Sequence, residues 1–243
     1  MAQKHIDLSQ EMEGQVSKKY QDITEEVDDI LSKLHEELEG ICSSTGYLPF
    51  VNSVNSAIEH LNGEGAKVSH DVFQVWKEGD ASFRAAASNS EAGESAEDIG
   101  AEFDNKIEEI FNEFWSNNSF HESIQVDTSR PTVQDEDFDH MKDTYIKYAE
   151  QFRELQDNTV SDIEAGGDDN PTFTLLSPAV IALIAPIKKA VEGFAAKIDD
   201  FKEKSNEKKN QQSSKRDEAS NQSATSSDVG AQDIASALSM FEV

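Results

Sequence analysis

The sequence predicts an all-α protein of elongated helical hairpins, a helix bundle with a disordered Lys/Ser/Asn-rich segment near the C-terminus. Apolar residues recur every three or four positions over long stretches, the signature of amphipathic helices. Clusters of Gly, Pro, Ser and Asn separate those stretches. The composition, 36% hydrophobic and 29% charged, leaves enough apolar residues for a core. That core is thin, and long hairpins suit it better than a sphere does.

The first helix is the clearest. Ile23, Val27, Ile30, Leu31, Leu34, Leu38 and Ile41 form one apolar stripe, with Glu25, Glu26, Asp28, Asp29, Glu36 and Glu37 mostly between them. It stops at Ser43-Ser44-Thr45-Gly46, with Pro49 just beyond. Cys42, the lone cysteine, sits beside this stripe and reads as a small core residue rather than a reactive site. A second series runs Val51, Val54, Ile58, Leu61, is interrupted by Gly63 and Gly65, and resumes at Val68, Val72, Val75 and Trp76. A glycine costs a helix interior about 1 kcal/mol, so this is two helices or one kinked helix. After a loop at 88–93 comes a strong helix through Ile99, Phe103, Ile107, Ile110, Phe111 and Phe114.

Residues 116–135 carry Pro131 and little periodicity, and the reading places a linker there. It separates an N-terminal helical bundle (1–115) from a C-terminal helical hairpin (136–204). The first helix of that hairpin passes through Phe138, Met141, Tyr145, Tyr148, Phe152 and Leu155 to Ile163, and Gly166 to Pro171 makes a hard turn. The last helix starts near Ser177 with an apolar block, Val180, Ile181, Leu183, Ile184 and Ile187, and thins to Val191, Phe194, Ile198 and Phe201. Beyond Lys204 the composition predicts disorder. A short apolar end (Ile234, Leu238, Met240, Phe241) within 205–243 reads as a docking segment or a frayed helix.

Forty-nine acids against 21 bases give a net charge of −28. This opposes compaction, and it argues against nucleic acid as a partner, since phosphate contacts need clustered Lys and Arg. Residues 188–216 are the exception, with nine bases and five acids. They read as a solvated helix face, or as an electrostatic dock for an acidic surface. The N-terminal residues lack the apolar core of a signal peptide. The longest apolar stretch, 173–187, falls short of the roughly 20 residues of a spanning helix. The expected location is therefore cytoplasmic, or secreted by a leaderless route.

No motif announces catalysis. The six histidines form no HExxH, and no GxSxG, P-loop or GxGxxG is present. Asp135, Asp137 and Asp139 match the start of a calcium loop. His140 stands where that loop needs glycine and Ile146 where it needs glutamate, so the acids read as a charged helix start. No cofactor or metal is expected.

One constellation remains. In Trp76-Lys77-Glu78-Gly79-Asp80-Ala81-Ser82-Phe83, a large aromatic ends one helix, a glycine reverses the chain and Phe83 packs back. This resembles the corner of the Trp-X-Gly helical-hairpin proteins of type VII secretion systems, over residues 50–115. Two residues separate Trp76 from Gly79 where that family has one. The family's Tyr-x-x-x-Asp/Glu export signal is missing after Tyr145 and Tyr148. The resemblance implies a non-catalytic substrate or adaptor that pairs with helical proteins, as hetero- or homo-oligomers. Trp76, Gly79 and Phe83 would set the corner, and Ile107, Ile110, Phe111 and Phe114 would line the interaction face. Two rivals are a pore-forming or membrane-perturbing protein that deploys residues 173–187 in a membrane, and a cytosolic acidic scaffold.

Overall fold

A computed structural model describes residues 2–63, 122–166 and 176–221. Four helices carry most of them: α1 (Ala2–Thr45), α2 (48–63), α3 (Asp135–Gly166) and α4 (Leu176–Asn221). No strand occurs among the described residues, in agreement with the all-α expectation.

The apolar stripe of α1 becomes its buried face: Tyr20, Ile23, Val27, Leu31, Leu34, Leu38 and Ile41 are all at most 4% exposed. The helix ends where the sequence says it should. Gly46 takes a left-handed conformation (φ 53°), and its N–H donates to the Cys42 carbonyl at 2.9 Å, capping the last turn. Tyr47 then starts α2, its carbonyl accepting the N–H of Phe50 at 2.8 Å.

At the start of α3, the Asp137 carboxylate accepts the N–H of Gln134 at 2.7 Å, half of a capping box. Two acids of the supposed calcium loop have other duties too. Asp139 pairs with Lys202 at 2.7 Å, and Asp135 accepts from Asn206 at 3.5 Å. The first turn of α3 is therefore a charged helix start, favoured by the positive end of the helix dipole.

The helix directions follow from who meets whom. Lys142 pairs with Asp199 and Asp139 with Lys202, so α3 and α4 run antiparallel. Glu37 meets Lys147 and Lys19 meets Asp162, so α1 and α3 are antiparallel as well. Phe50 lies against Phe201 and His60 against Phe194, which sets α2 antiparallel to α4. One continuous hydrophobic core joins Tyr20 through Ile198.

Two expectations change. Residues 122–134, placed in a linker between two halves, lie packed against α1 and α2, with Ile124 only 2% exposed in the shared core. Core residues of 20–61, 124–163 and 180–198 belong to one unit. Helix α4 also continues to Asn221, past the Lys204 limit where disorder was expected. Its buried portion, which reaches Ser205, supplies the costly nucleus. The Glu, Lys, Gln and Arg residues that follow are good helix formers and extend it at little cost per residue.

Candidate functional site

The most elaborated place in the described structure is the α1–α2 corner and the segment that straps across it. The first part of the strap (122–134) runs extended over 122–127, alongside α1 and against the direction of α2, and 127–130 then bends around Gly46. Its backbone is held by side chains. Asn55 of α2 grips Ile124 twice: its Nδ2 donates to the Ile124 carbonyl at 3.1 Å, and its Oδ1 accepts the Ile124 N–H at 2.8 Å. The His35 ring of α1 lies 3.1 Å from the Glu122 carbonyl. Near the corner, the Thr132 N–H donates to the Thr45 carbonyl at 2.8 Å, satisfying a group that the end of α1 would otherwise leave open.

Side chains of the strap alternate. Ile124 is buried, Gln125 exposed, Val126 half-buried and Asp127 exposed. Asp127 Oδ1 accepts the Ser129 N–H at 2.9 Å and bends the chain. Backbone and side-chain bonds from Ser129 hold the Asp127 carboxyl below its ordinary range. Its carbonyl passes so close to Gly46 that a Cβ there would stand 2.7 Å from the oxygen. Glycine is required at 46 both for its φ and for this approach.

Beneath the corner four rings interlock. Phe138 stands edge-on to Phe50 at 4.8 Å between centroids and to Phe201 at 5.4 Å, and Tyr47 stacks on Phe201 at 6.3 Å. The Tyr47 hydroxyl lies 3.2 Å from the Ser205 Oγ. Cys42 is fully buried nearby, and desolvation, reinforced by Glu39, pushes its thiol up to about 12. A thiol so protonated is a poor nucleophile, which agrees with its reading as a core residue. Tyr145 is also buried, and its hydroxyl has no hydrogen-bond partner among the described residues. Burial, with the neighbouring Cys42, raises its pKa. Further down, Glu37 accepts from Lys147 and, at 2.9 Å, from the Tyr148 hydroxyl. Partial burial pushes the Glu37 carboxyl up, but these two donors outweigh it and the net shift is downward.

The candidate residues fall in two groups. Of the apolar block, Val180, Leu183, Ile184 and Ile187 are buried in the bundle core, while Ile181 is 42% exposed. Trp76, Gly79 and Phe83, and the face of Ile107, Ile110, Phe111 and Phe114, lie outside the described residues. Among the described residues no group of His, Cys, Asp or Glu is arranged to hold a metal, and no helix is long and apolar enough to cross a membrane. The sequence reading missed His35, Asn55 and the strap. The available signal was Ile124-Gln125-Val126-Asp127, which alternates apolar and polar with period two, the pattern of an extended half-buried segment. Comparison with known proteins gives no match: no family model, no curated protein and no solved structure.

Proposed function

We propose that this chain is a non-catalytic helical interaction module, a secretion-associated substrate or adaptor that pairs with other helical proteins. The observation that carries the reading is the overrun of α4. The antiparallel register matches Asp135, the first residue of α3, with Asn206. The fifteen residues 207–221 therefore continue beyond the end of α3, a helical length of about 22 Å at 1.5 Å per residue. Positions 207–211 and Ser214 are exposed. A helix that is polar all round and leaves its own bundle suits bridging to another protein. Lys208, Lys209, Lys215 and Arg216 on this stretch stand against Glu207, Asp217 and Glu218, a net +1 on a chain of net −28, so an acidic helical partner is repelled least here.

The export setting is the finer part of the proposal, and the Trp76-to-Phe83 corner in the sequence supports it. The test is size-exclusion chromatography with light scattering on the protein alone and with the products of its neighbouring genes. We expect a stable complex with a helical neighbour, weakened at least tenfold when the chain is cut after Asn206. A monomer that ignores every neighbour would sink the proposal. A complex indifferent to the truncation would remove α4 from it.

A further inference from the structure

We propose that the α1–α2 groove is a recognition site for extended peptides, occupied in cis by the chain's own strap. It is a different surface from the α4 overrun and takes a different partner: an extended segment with a β-branched aliphatic residue at the clamped position and polar neighbours on either side.

The argument starts from how the strap is held. An extended segment has no internal hydrogen bonds, so its N–H and C=O groups must find partners elsewhere. Strands find them on other backbones. Here the Ile124 N–H and C=O both go to one side chain, Asn55, and the Glu122 carbonyl faces the His35 ring. A side-chain amide that satisfies both backbone groups of one residue reads main chain in the extended conformation whatever its sequence. Sequence is read beside the clamp, where Ile124 enters the core shared with Leu38, Val54 and Ile58. Backbone hydrogen bonds that fix the pose, with a pocket that selects every second side chain, are the division of labour found in extended-peptide recognition.

The strap is also built to be separable. Its outward residues Gln125, Asp127, Ser129 and Arg130 are exposed, and only Ile124 is fully buried. Lifting it would uncover the Asn55 amide and the Ile124 seat while the buried faces of α1, α3 and α4 stay packed. A peptide in trans then competes with a tethered segment at high effective concentration, so the intact protein binds it weakly.

The experiment uses a fluorescein-labelled peptide with the sequence of residues 122–134, titrated into the full-length chain and read by anisotropy. Ile124→Asp disables the strap, and we expect it to bind the peptide at least tenfold more tightly than wild type. Adding Asn55→Ala to that variant should reverse the gain by at least tenfold, and a peptide carrying Asp at the Ile124 position should not bind. A folded Ile124→Asp variant that binds no better than wild type overturns the proposal. If Ile124→Asp does not fold, Ile124→Ala is read by the same criteria. Native-state hydrogen exchange on wild type gives an independent answer. The Ile124 amide should exchange at least tenfold faster than the Leu38 amide, because the strap lifts without global unfolding. Equal protection at the two amides overturns it.

Discussion

Replacing Gly46 by alanine tests the corner at its tightest point, because two separate costs meet there. The left-handed conformation at φ 53° costs a residue with a Cβ about 1–2 kcal/mol. Loss of glycine's freedom in the unfolded chain returns about 0.4–1 kcal/mol of that. The new Cβ would also stand 2.7 Å from the Asp127 carbonyl oxygen, a backbone atom that can retreat only by moving the strap. That movement strains the Thr132–Thr45 hydrogen bond, worth about 0.5–1.5 kcal/mol. The sum is a destabilisation of about 2 kcal/mol. Gly40 supplies the control: it lies within α1, and a Cβ there meets nothing within 4 Å. Gly40→Ala should therefore stabilise by about 0.5–1 kcal/mol. Urea unfolding followed by circular dichroism should move the two midpoints in opposite directions. Gly46→Asn separates the two costs, since Asn tolerates the φ but keeps the Cβ. It should fall between wild type and Gly46→Ala. If Gly46→Ala unfolds at the same urea concentration as Gly40→Ala, the account of the corner is wrong.

Three further perturbations probe the interior. Tyr145→Phe removes a buried hydroxyl without a partner among the described residues and should be neutral or stabilising by up to about 1 kcal/mol, whereas Tyr148→Phe removes a donor to Glu37 and should cost about 1 kcal/mol; like signs for the two in urea melts would count against this assignment. Phe138→Ala empties the centre of the four-ring cluster, and a loss of about 3–5 kcal/mol is expected, so a loss below about 1 kcal/mol would show that the rings do not pack as described. Cys42 gives a pH signature. Its folded pKa of about 12 lies above the unfolded value, so its contribution is complete below about pH 8.5 and declines as pH rises towards 12. Over that window wild type should lose about 1.4 kcal/mol per pH unit more than Cys42→Ala, and equal slopes would refute the burial.

Helix positions were legible in the sequence because their cause is local. The three-and-four spacing in α1 and the Thr45-Gly46 stop both act within a few residues, and the structure realises them at those positions. Residues 122–134 were misread as a linker because their order comes from elsewhere. Asn55 and His35 lie 69 and 87 residues away in sequence, and nothing local marks them as clamps. An asparagine on the polar edge of a helix looks the same whether it faces water or a peptide backbone. The end of α4 was misread for the opposite reason. Composition signals that a segment cannot build a core of its own, but residues 207–221 inherit a helix already nucleated by the packed portion before them.

The helix register also has a cause that composition conceals. Four ion pairs stitch neighbouring helices, Lys19–Asp162, Lys147–Glu37, Lys142–Asp199 and Lys202–Asp139. Their acidic partners are 38–69% exposed, and exposed pairs contribute about 0–1 kcal/mol each. They also discriminate poorly. Slipping α4 by one turn would bring Lys202 opposite Asp135 or Asp143, which are acids as well. The Phe138–Phe201 ring contact has no aromatic substitute one turn away and therefore fixes the register, whereas Phe194 would exchange Tyr145 for Tyr148. Electrostatics then acts mainly through the net charge of −28, a repulsion that opposes the compact state. Salt screens both effects, but the repulsion is the larger. Raising sodium chloride from about 0.01 M to 1 M, which shortens the screening length from roughly 30 Å to 3 Å, should move the urea midpoint upward. A midpoint that falls with salt would mean that the ion pairs, rather than the rings, hold the hairpins together.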